Sequence, residues 1–155
     1  MKIEIRGAKS KDVKEIISLN QKLFNYEYNN FDKTLDCSWP PKNENYFKKS
    51  VEDKNSIVLV AVSNRNIIGY LIGSIHKAED YREIKEVVEV DNTFVVEEHR
   101  RKGIGKELFK KFLEWAKKKE TRRMKVVASA KNKDAINFYK KCGFIDYNLT
   151  LERDI

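Results

Sequence analysis

One stretch of the chain joins an apolar segment with strand character to a strongly amphipathic helix: Phe94-Val95-Val96-Glu97-Glu98-His99-Arg100-Arg101-Lys102-Gly103-Ile104-Gly105. Two glycines in such a loop allow several backbone N–H groups to turn toward one point. The positive end of the following helix dipole lies at that same point. This stretch therefore predicts a binding site for a phosphate group.

Hydrophobic periodicity on both sides of this loop predicts the rest of the fold. The predicted strands are 2–6, 57–62, 67–76, 86–96, 124–128, 144–147 and 149–152, and the predicted helices are 10–24, 46–52, 106–119 and 133–141. Residues 25–45 are rich in Asn, Tyr and Asp and contain Pro40-Pro41, which predicts a long irregular segment. The order predicts one α/β domain over residues 1–155, a single mostly antiparallel mixed sheet of about seven strands flanked by about four helices.

The composition is that of a globular protein, with 41% hydrophobic and 36% charged residues. No apolar run is long enough to cross a bilayer and the N-terminal residues lack the core of a signal peptide, so we expect a cytoplasmic protein that does not bind membranes. Cys37 and Cys142 stand far apart without metal-ligand spacing, which predicts neither a disulfide nor a metal site.

The formal net charge of +8 is concentrated around the glycine loop and on the polar face of the helix that follows it. Solvation is the usual reason for a lysine-rich helix face. The chain shows no DNA- or RNA-binding motif, so we expect no nucleic-acid partner.

Two common phosphate-binding motifs do not fit the glycine loop. A dinucleotide fingerprint requires a third Gly or Ala where this chain has Leu108. A P-loop requires Ser or Thr after its Lys, and Glu107 follows Lys106 here. The ligand is therefore expected to be a different phosphate compound.

Two motifs resemble those of the GNAT family of N-acetyltransferases. The segment from Phe94 to Gly105 is similar to that family's acetyl-coenzyme A motif, in which Gln or Arg, two residues, Gly, one residue and Gly or Ala follow the fourth strand. The segment Asn132-Lys133-Asp134-Ala135-Ile136-Asn137-Phe138-Tyr139-Lys140-Lys141-Cys142-Gly143-Phe144 is similar to its Asn, Ala, Phe-Tyr and Gly-Phe signature. The predicted element order matches the GNAT fold from Ile3 to about Glu152.

The resemblance implies that acetyl-CoA is the co-substrate and assigns residues to it. Backbone amides of 101–106 would hold the pyrophosphate, and main-chain groups of strand four would bind pantetheine and the thioester oxygen. The implied coenzyme-binding residues are Phe94, Val95, Val96, Arg100, Arg101, Lys102, Gly103, Ile104, Gly105, Lys106, Asn132, Ala135, Phe138 and Tyr139.

The resemblance also implies a general acid and a candidate base. Tyr139 matches the tyrosine that faces the coenzyme sulfur and would protonate the departing thiolate. Glu89 aligns with a glutamate that serves as base in one branch of the family, and regular alternation places Asp91 on the same face. Ordered water can replace such a base, and a bulge would bring Asn92 to this face instead of Asp91. His76 and Thr93 are weaker candidates.

The acceptor amine is the open part of the prediction. In this family it often contacts the segment between the first two helices, where Glu27, Tyr28 and Asp32 are the expected substrate-binding residues and can attract an ammonium group. Polyamines, amino acids, aminoglycosides and protein amines all remain possible acceptors. A CoA-binding regulatory module without activity is the alternative function, and family habit alone suggests a homodimer.

Overall fold

Five strands form one sheet in the computed structural model, which describes residues 2–155. The strands are β1 (Glu4–Gly7), β2 (Ser56–Ser63), β3 (Asn66–Lys77), β4 (Glu86–Val95) and β5 (Met124–Val126), and they lie in this order across the sheet. β1 to β4 pair in antiparallel fashion, whereas β4 and β5 are parallel. Asn64 and Arg65 adopt positive φ angles of 48° and 68°, typical of the tight turn that joins β2 to β3.

Helices cover both faces of this sheet. They are α1 (Val13–Asn30), α2 (Trp39–Lys42), α3 (Glu44–Glu52), α4 (Ile104–Lys117) and α5 (Lys133–Lys141). Because strand side chains alternate, β2 supplies Leu59 and Ala61 to a core beneath α4 and Val58 and Val60 to a core beneath α1 and α3. The apolar stripe predicted for 106–119 is confirmed, since Leu108 and Phe112 of α4 are fully buried.

The structure confirms the mixed α/β fold and corrects three details. The sheet has five strands instead of about seven, because residues 144–152 form no strand within the described chain. Residues 25–30 continue α1, where Tyr26 packs edge-on against Phe31 with 5.6 Å between ring centroids, so tertiary packing overrides weak helix propensity. Pro40 and Pro41 occupy the first turn of α2, where proline is tolerated.

No helix in residues 2–155 has both the length and the apolarity that a membrane crossing requires.

An irregularity in β4 prepares the site. The register between β3 and β4 shifts from Gly73↔Val90 to Ile72↔Asn92, which leaves Asp91 as an extra residue on β4. β5 pairs with β4 only as far as Val90, so the rest of β4 separates from its parallel neighbour. A cleft opens where the two strands part.

Candidate functional site

This cleft has a volume of about 1540 Å³ and is lined by residues from both faces of the sheet. One side consists of the glycine loop, α4, the end of β5 and α5. The other side consists of α1, α2, α3 and the bulged part of β4. Groups that belong to separate motifs in the sequence therefore share one cavity.

The glycine loop presents the start of α4 to the cleft. Gly103 caps the helix in the left-handed region with φ of 80°, and Arg101 also has a positive φ of 59°. The first main-chain hydrogen bond of the helix joins the Glu107 N–H to the Gly103 carbonyl at 3.0 Å. The N–H groups of Ile104, Gly105 and Lys106 precede that bond and are free of intrahelical acceptors. Such a set of donors can hold an anion.

Two of the loop cations hold the loop itself. The Arg100 guanidinium lies 5.2 Å from the centroid of the Phe94 ring, and its Nε donates to the Val95 carbonyl at 2.8 Å. The Lys102 Nζ donates to the Glu98 carbonyl at 2.9 Å. Arg101 and Lys106 line the cleft, whereas Lys102 does not. Lys141 of α5 also lines it and was missed from sequence.

Gly105 is required by a close contact between two helices. A Cβ placed on it would stand 3.3 Å from Cε2 of Phe138 on α5, tighter than most such contacts. Asn132 begins α5, because its side-chain oxygen accepts the Ala135 N–H at 3.1 Å. The second motif therefore acts first as a structural element that fixes α5 beside the glycine loop. It also places Tyr139 in the cleft.

Tyr139 is buried, with 9% of its surface exposed, and it packs against Phe138 and Phe144. Burial, followed by the nearby Cys142, raises the pKa of its hydroxyl well above the ordinary value. The hydroxyl thus stays protonated at neutral pH and can donate a proton. Burial also raises the pKa of the Cys142 thiol.

The β4 main chain turns one side toward the cleft at residues 93–95. Val96 is different from the expectation, since its N–H donates to the Ile68 carbonyl and its own carbonyl accepts the His99 N–H, both at 2.9 Å. Successive strand residues point their N–H groups to opposite sides. The Val95 N–H therefore faces away from β3 and toward the gap beside β5, whereas Val96 has no free amide to offer.

The bulge brings two consecutive residues, Asp91 and Asn92, to the face of the sheet beneath α1 and α3. Asp91 contacts His76 Nε2 at 2.7 Å and the Ser74 hydroxyl at 2.5 Å. The Asn92 amide donates to the Tyr46 hydroxyl at 3.4 Å. The sequence predicted that either Asp91 or Asn92 would lie on this face. Both do, because a bulge places neighbouring residues on one face.

Glu89 completes a polar cluster with Asp91 and His76. Its carboxylate lies 3.6 Å from His76 Nε2 and 3.3 Å from Lys125 Nζ. The donor atoms of Glu89, Asp91 and His76 lie within 4.8 Å of one another, and hydrogen bonds and ion pairs within the sheet account for their approach. His76 was rated below the carboxylates from sequence, although its position in β3 across from β4 brings it to both.

An aromatic wall and a carboxyl group form the opposite side of the cleft. Phe24 stacks on Trp39 with 5.8 Å between centroids, and Tyr46 packs edge-on against Trp39. Glu27 lines the same cleft, and burial, followed by the charge of Asp32, raises the pKa of its carboxyl. These four side chains line the cleft together.

Tyr28 and Asp32 do not line the cleft, in contrast to Glu27. Tyr28 faces outward on α1 with Lys33 Nζ 4.5 Å above its ring. The exposed Asp32 carboxylate accepts hydrogen bonds from the Thr34 N–H and hydroxyl, which lower its pKa. Because residues 25–30 are helical, only one face of the segment can turn toward the cleft.

A buried polar network beneath the aromatic wall was missed from sequence. Asn20, only 1% exposed, donates to the Tyr70 hydroxyl at 2.7 Å and to the Asn92 side chain at 3.2 Å. Burial raises the pKa of Tyr46 to about 12. The signal was present, since Asn20 is the one polar residue on the otherwise apolar face of α1.

Comparison with known proteins defines the class. A family model described as the acetyltransferase (GNAT) family matches residues 21–144. The chain belongs to this family, which confirms the resemblance seen in the two motifs.

Individual relatives agree with this assignment. The chain is 42% identical over 62 residues to an uncharacterized N-acetyltransferase, MJ1207, from Methanocaldococcus jannaschii, a match that covers 40% of this chain and only 27% of that protein. A mutant BH1408 protein from Bacillus halodurans has a TM-score of 0.88 at 22% identity, covering 98% of this chain and 99% of the other. Aminoglycoside acetyltransferase AAC(6')-Iy, in complex with a bisubstrate analog of CoA and acetylneamine, has a TM-score of 0.76 at 17% identity, covering 100% and 99%.

Proposed function

We propose that this chain transfers the acetyl group of acetyl-CoA to a primary amine, by direct attack of the amine on the thioester within a ternary complex. One observation carries the proposal: a single cleft joins the free amides of α4 and the buried Tyr139 to the Asp91 carboxylate beneath α1 and α3. An acyl transfer needs a donor site, an acid and a base in contact with the same two substrates.

The side of the cleft formed by the glycine loop, α4, the end of β5 and α5, called the coenzyme half below, suits coenzyme A. The N–H groups of Ile104, Gly105 and Lys106 and the dipole of α4 stabilise a pyrophosphate, and Arg101 and Lys141 add positive charge nearby. The Val95 N–H faces the gap between β4 and β5, where it can donate to the thioester oxygen as negative charge develops there. The family membership and the CoA analog bound by AAC(6')-Iy support this co-substrate.

The other side, formed by α1, α2, α3 and the bulged part of β4, is called the acceptor half below. It suits a cation that must lose a proton before it reacts. Asp91 lines the cleft, so it can attract an ammonium group and take its proton, and His76 Nε2 contacts it at 2.7 Å. Glu89 is not part of the cleft lining and pairs with Lys125, so it acts on the amine only through the cluster around His76. His76 is partly exposed near the end of β3, so it offers that proton a path to solvent. The freed amine then forms the N–C bond as the C–S bond breaks and the thiolate takes the Tyr139 proton. The extra proton on the acylated nitrogen then passes to the Tyr139 phenolate, which restores the hydroxyl.

The departing thiolate needs a proton, and Tyr139 can supply it. Its hydroxyl is protonated across the neutral range, as that of an ordinary tyrosine is, and the burial that raises its pKa also limits its contact with bulk water. Tyr139 is thus the proposed general acid.

Direct attack is favoured over an acetylated enzyme. Cys142 is the cysteine beside Tyr139, and burial raises the pKa of its thiol, which disfavours the thiolate that a covalent route would need. Within the described chain the other cysteine, Cys37, faces the Phe24 carbonyl at 3.8 Å.

The acceptor class that fits best is a small or extended amine with a second cationic or polar group. Glu27 and Asp91 stand at different places in the cleft, and the Trp39 and Phe24 rings offer aromatic faces to a cation between them. The bisubstrate analog bound by AAC(6')-Iy joins CoA to an acetylneamine, which supports an amine acceptor of this class.

Calorimetric titration with acetyl-CoA, followed by an assay of free thiol release against a panel of amines, tests the proposal. We expect saturable binding and thiol release that depends on an amine. Absence of binding would contradict it, and binding without turnover on any amine would favour a regulatory CoA-binding module. Tyr139→Phe should lower kcat about tenfold, the loss of roughly 1.4 kcal/mol, with coenzyme affinity nearly unchanged.

A further inference from the structure

One cationic side chain connects the glycine loop to the first helix of the acceptor half. The Arg100 guanidinium carbon lies 5.5 Å from the centroid of the Tyr26 ring on α1 and 5.2 Å from that of the Phe94 ring on β4. The Arg100 Nε also donates to the Val95 carbonyl at 2.8 Å. All four residues line the cleft, so this connection crosses the site itself.

The surroundings of Arg100 are those of a stacking group. Within residues 2–155 the guanidinium forms no ion pair with a carboxylate. A guanidinium is planar and weakly hydrated, and it is attracted to the faces of aromatic rings. The main-chain N–H groups of 104–106 form the proposed pyrophosphate site without this side chain. The geometry thus gives Arg100 a task other than the coenzyme contact that its motif implies.

Both ends of the connection carry groups that the proposed reaction uses. Tyr26 directly precedes Glu27 in α1, and both side chains line the cleft. The Tyr26 ring is also held from within its own segment, since it packs edge-on against Phe31. At the other end, Arg100 holds the carbonyl of Val95, and the N–H of that residue is the proposed donor to the thioester oxygen. A shift of Tyr26 would carry Glu27 with it, because the two residues belong to one helix.

We infer that Arg100 is a positioning residue for the acceptor amine, because it fixes the part of α1 that carries Glu27 relative to the β4 segment that holds the thioester. This inference rests on the proposed acetyl transfer and adds a residue to it. Arg100 acts on the amine through Tyr26 and Glu27. Its loss should therefore weaken acceptor binding and leave the coenzyme half as it is.

The substitution Arg100→Lys tests this role, because it keeps the positive charge and removes the planar guanidinium. The acceptor KM should rise about threefold, no more than the ion pair of Glu27 contributes. Acetyl-CoA affinity by calorimetry should stay nearly unchanged. Arg100 is exposed, so the variant should fold normally. The KM is measured by thiol release with acetyl-CoA and the amine of the panel that reacts fastest with the unsubstituted chain.

A cycle of substitutions with Tyr26 tests the contact itself. Tyr26→Leu removes the ring and should raise the acceptor KM by a similar factor. Arg100→Lys and Tyr26→Leu together should raise it no further than either alone, because both remove the same contact. Tyr26→Phe keeps the ring face and should recover most of the loss seen in Tyr26→Leu.

The matched control is Arg82→Lys. Arg82 lies 4.7 Å from the Tyr147 ring, and neither residue lines the cleft, so this variant should keep the acceptor KM of the unsubstituted chain. A fall in acetyl-CoA affinity with an unchanged acceptor KM in Arg100→Lys would make Arg100 a coenzyme ligand and overturn the inference. Losses that multiply in the cycle with Tyr26 would overturn it too. Absence of thiol release from the unsubstituted chain would instead reject the proposed function, and the role of Arg100 with it.

Discussion

The coenzyme half of the cleft is formed mainly by main-chain groups, whereas the acceptor half is formed mainly by side chains. The coenzyme half relies on main-chain geometry: a left-handed Gly103, the first amides of α4, and Gly105 held against Phe138. The acceptor half relies on side chains, chiefly the carboxylates of Asp91 and Glu27 and the rings around Trp39. Main-chain sites require particular residues at particular spacings, whereas side-chain sites of one shape can be made from many sequences.

This difference explains why the two halves should respond differently to substitution. Removing the charge of Arg101 should matter little, since main-chain N–H groups are the donors in the coenzyme half. Arg100 and Lys102 have a second role, because they hold the loop through contacts with the Val95 and Glu98 carbonyls. Adding one carbon at Gly105 should matter greatly. In the acceptor half the opposite holds, because charge and hydrogen bonding carry the function there.

The largest effect is expected in the acceptor half. The double substitution Asp91→Asn and Glu89→Gln removes the carboxylate that lines the cleft and its neighbour beside His76. It should lower kcat about 1000-fold, within the range for loss of a general base. Coenzyme affinity by calorimetry should change little. Asp80→Asn, an exposed loop carboxylate paired with Lys77, is the matched control and should keep full activity. An unchanged kcat in the double variant would show that a chain of water molecules, and not these carboxylates, removes the proton from the amine.

The next effect is expected in the coenzyme half. Gly105→Val should force α4 and α5 apart, because a Cβ already stands 3.3 Å from Phe138, and should lower acetyl-CoA affinity about 100-fold. Gly7→Val is the control, since a Cβ on Gly7 meets nothing within 4 Å. Calorimetric titration of both variants measures the difference. Equal, small losses would show that the glycine loop is not the coenzyme site.

The smallest effect concerns pH and Glu27. Burial raises the pKa of this carboxyl above the ordinary 4.5, so Glu27 is neutral below its raised pKa and negative above it. As pH rises through that pKa, affinity for a cationic acceptor should increase about threefold, the worth of a partly exposed ion pair. The acceptor KM measured against pH should fall in this window, whereas acetyl-CoA affinity should not follow it.

The control for Glu27 is a glutamate whose side chain is exposed instead of partly buried in the cleft. Glu27→Gln should remove the step in the acceptor KM, and Glu44→Gln, an exposed residue paired with Lys48, should keep it. A step that persists in Glu27→Gln would place the titrating group elsewhere in the cleft.

The same contrast sets what could be predicted from the sequence. Three features could be predicted because backbone geometry and helix packing demand particular residue types at fixed spacing. They are the glycine loop, the apolar stripe of α4 and the motif that begins at Asn132. Phe138 against Gly105 shows why the two motifs belong together. The family model, which matches residues 21–144, includes both motifs and confirms the family that they indicated.

Three features could not be read for physical reasons. His76 reaches Asp91 only because a bulge shifts the register of β4 by one residue, and no local pattern announces that shift. Val96 has no free N–H for a ligand, because that N–H already donates to the Ile68 carbonyl of the neighbouring strand. Residues 145–151 alternate apolar and polar side chains as a strand does, but no strand pairs with them within the described chain, and alternation alone does not specify a partner.

The central claim is that donor and acceptor meet in one cleft and react directly. Initial rates of thiol release, measured with acetyl-CoA and an active amine varied together, test this claim most directly. Sequential addition predicts double-reciprocal lines that intersect, because both substrates must be bound before the acetyl group moves. Parallel lines, with acetyl group found on the protein when the amine is withheld, would contradict the account.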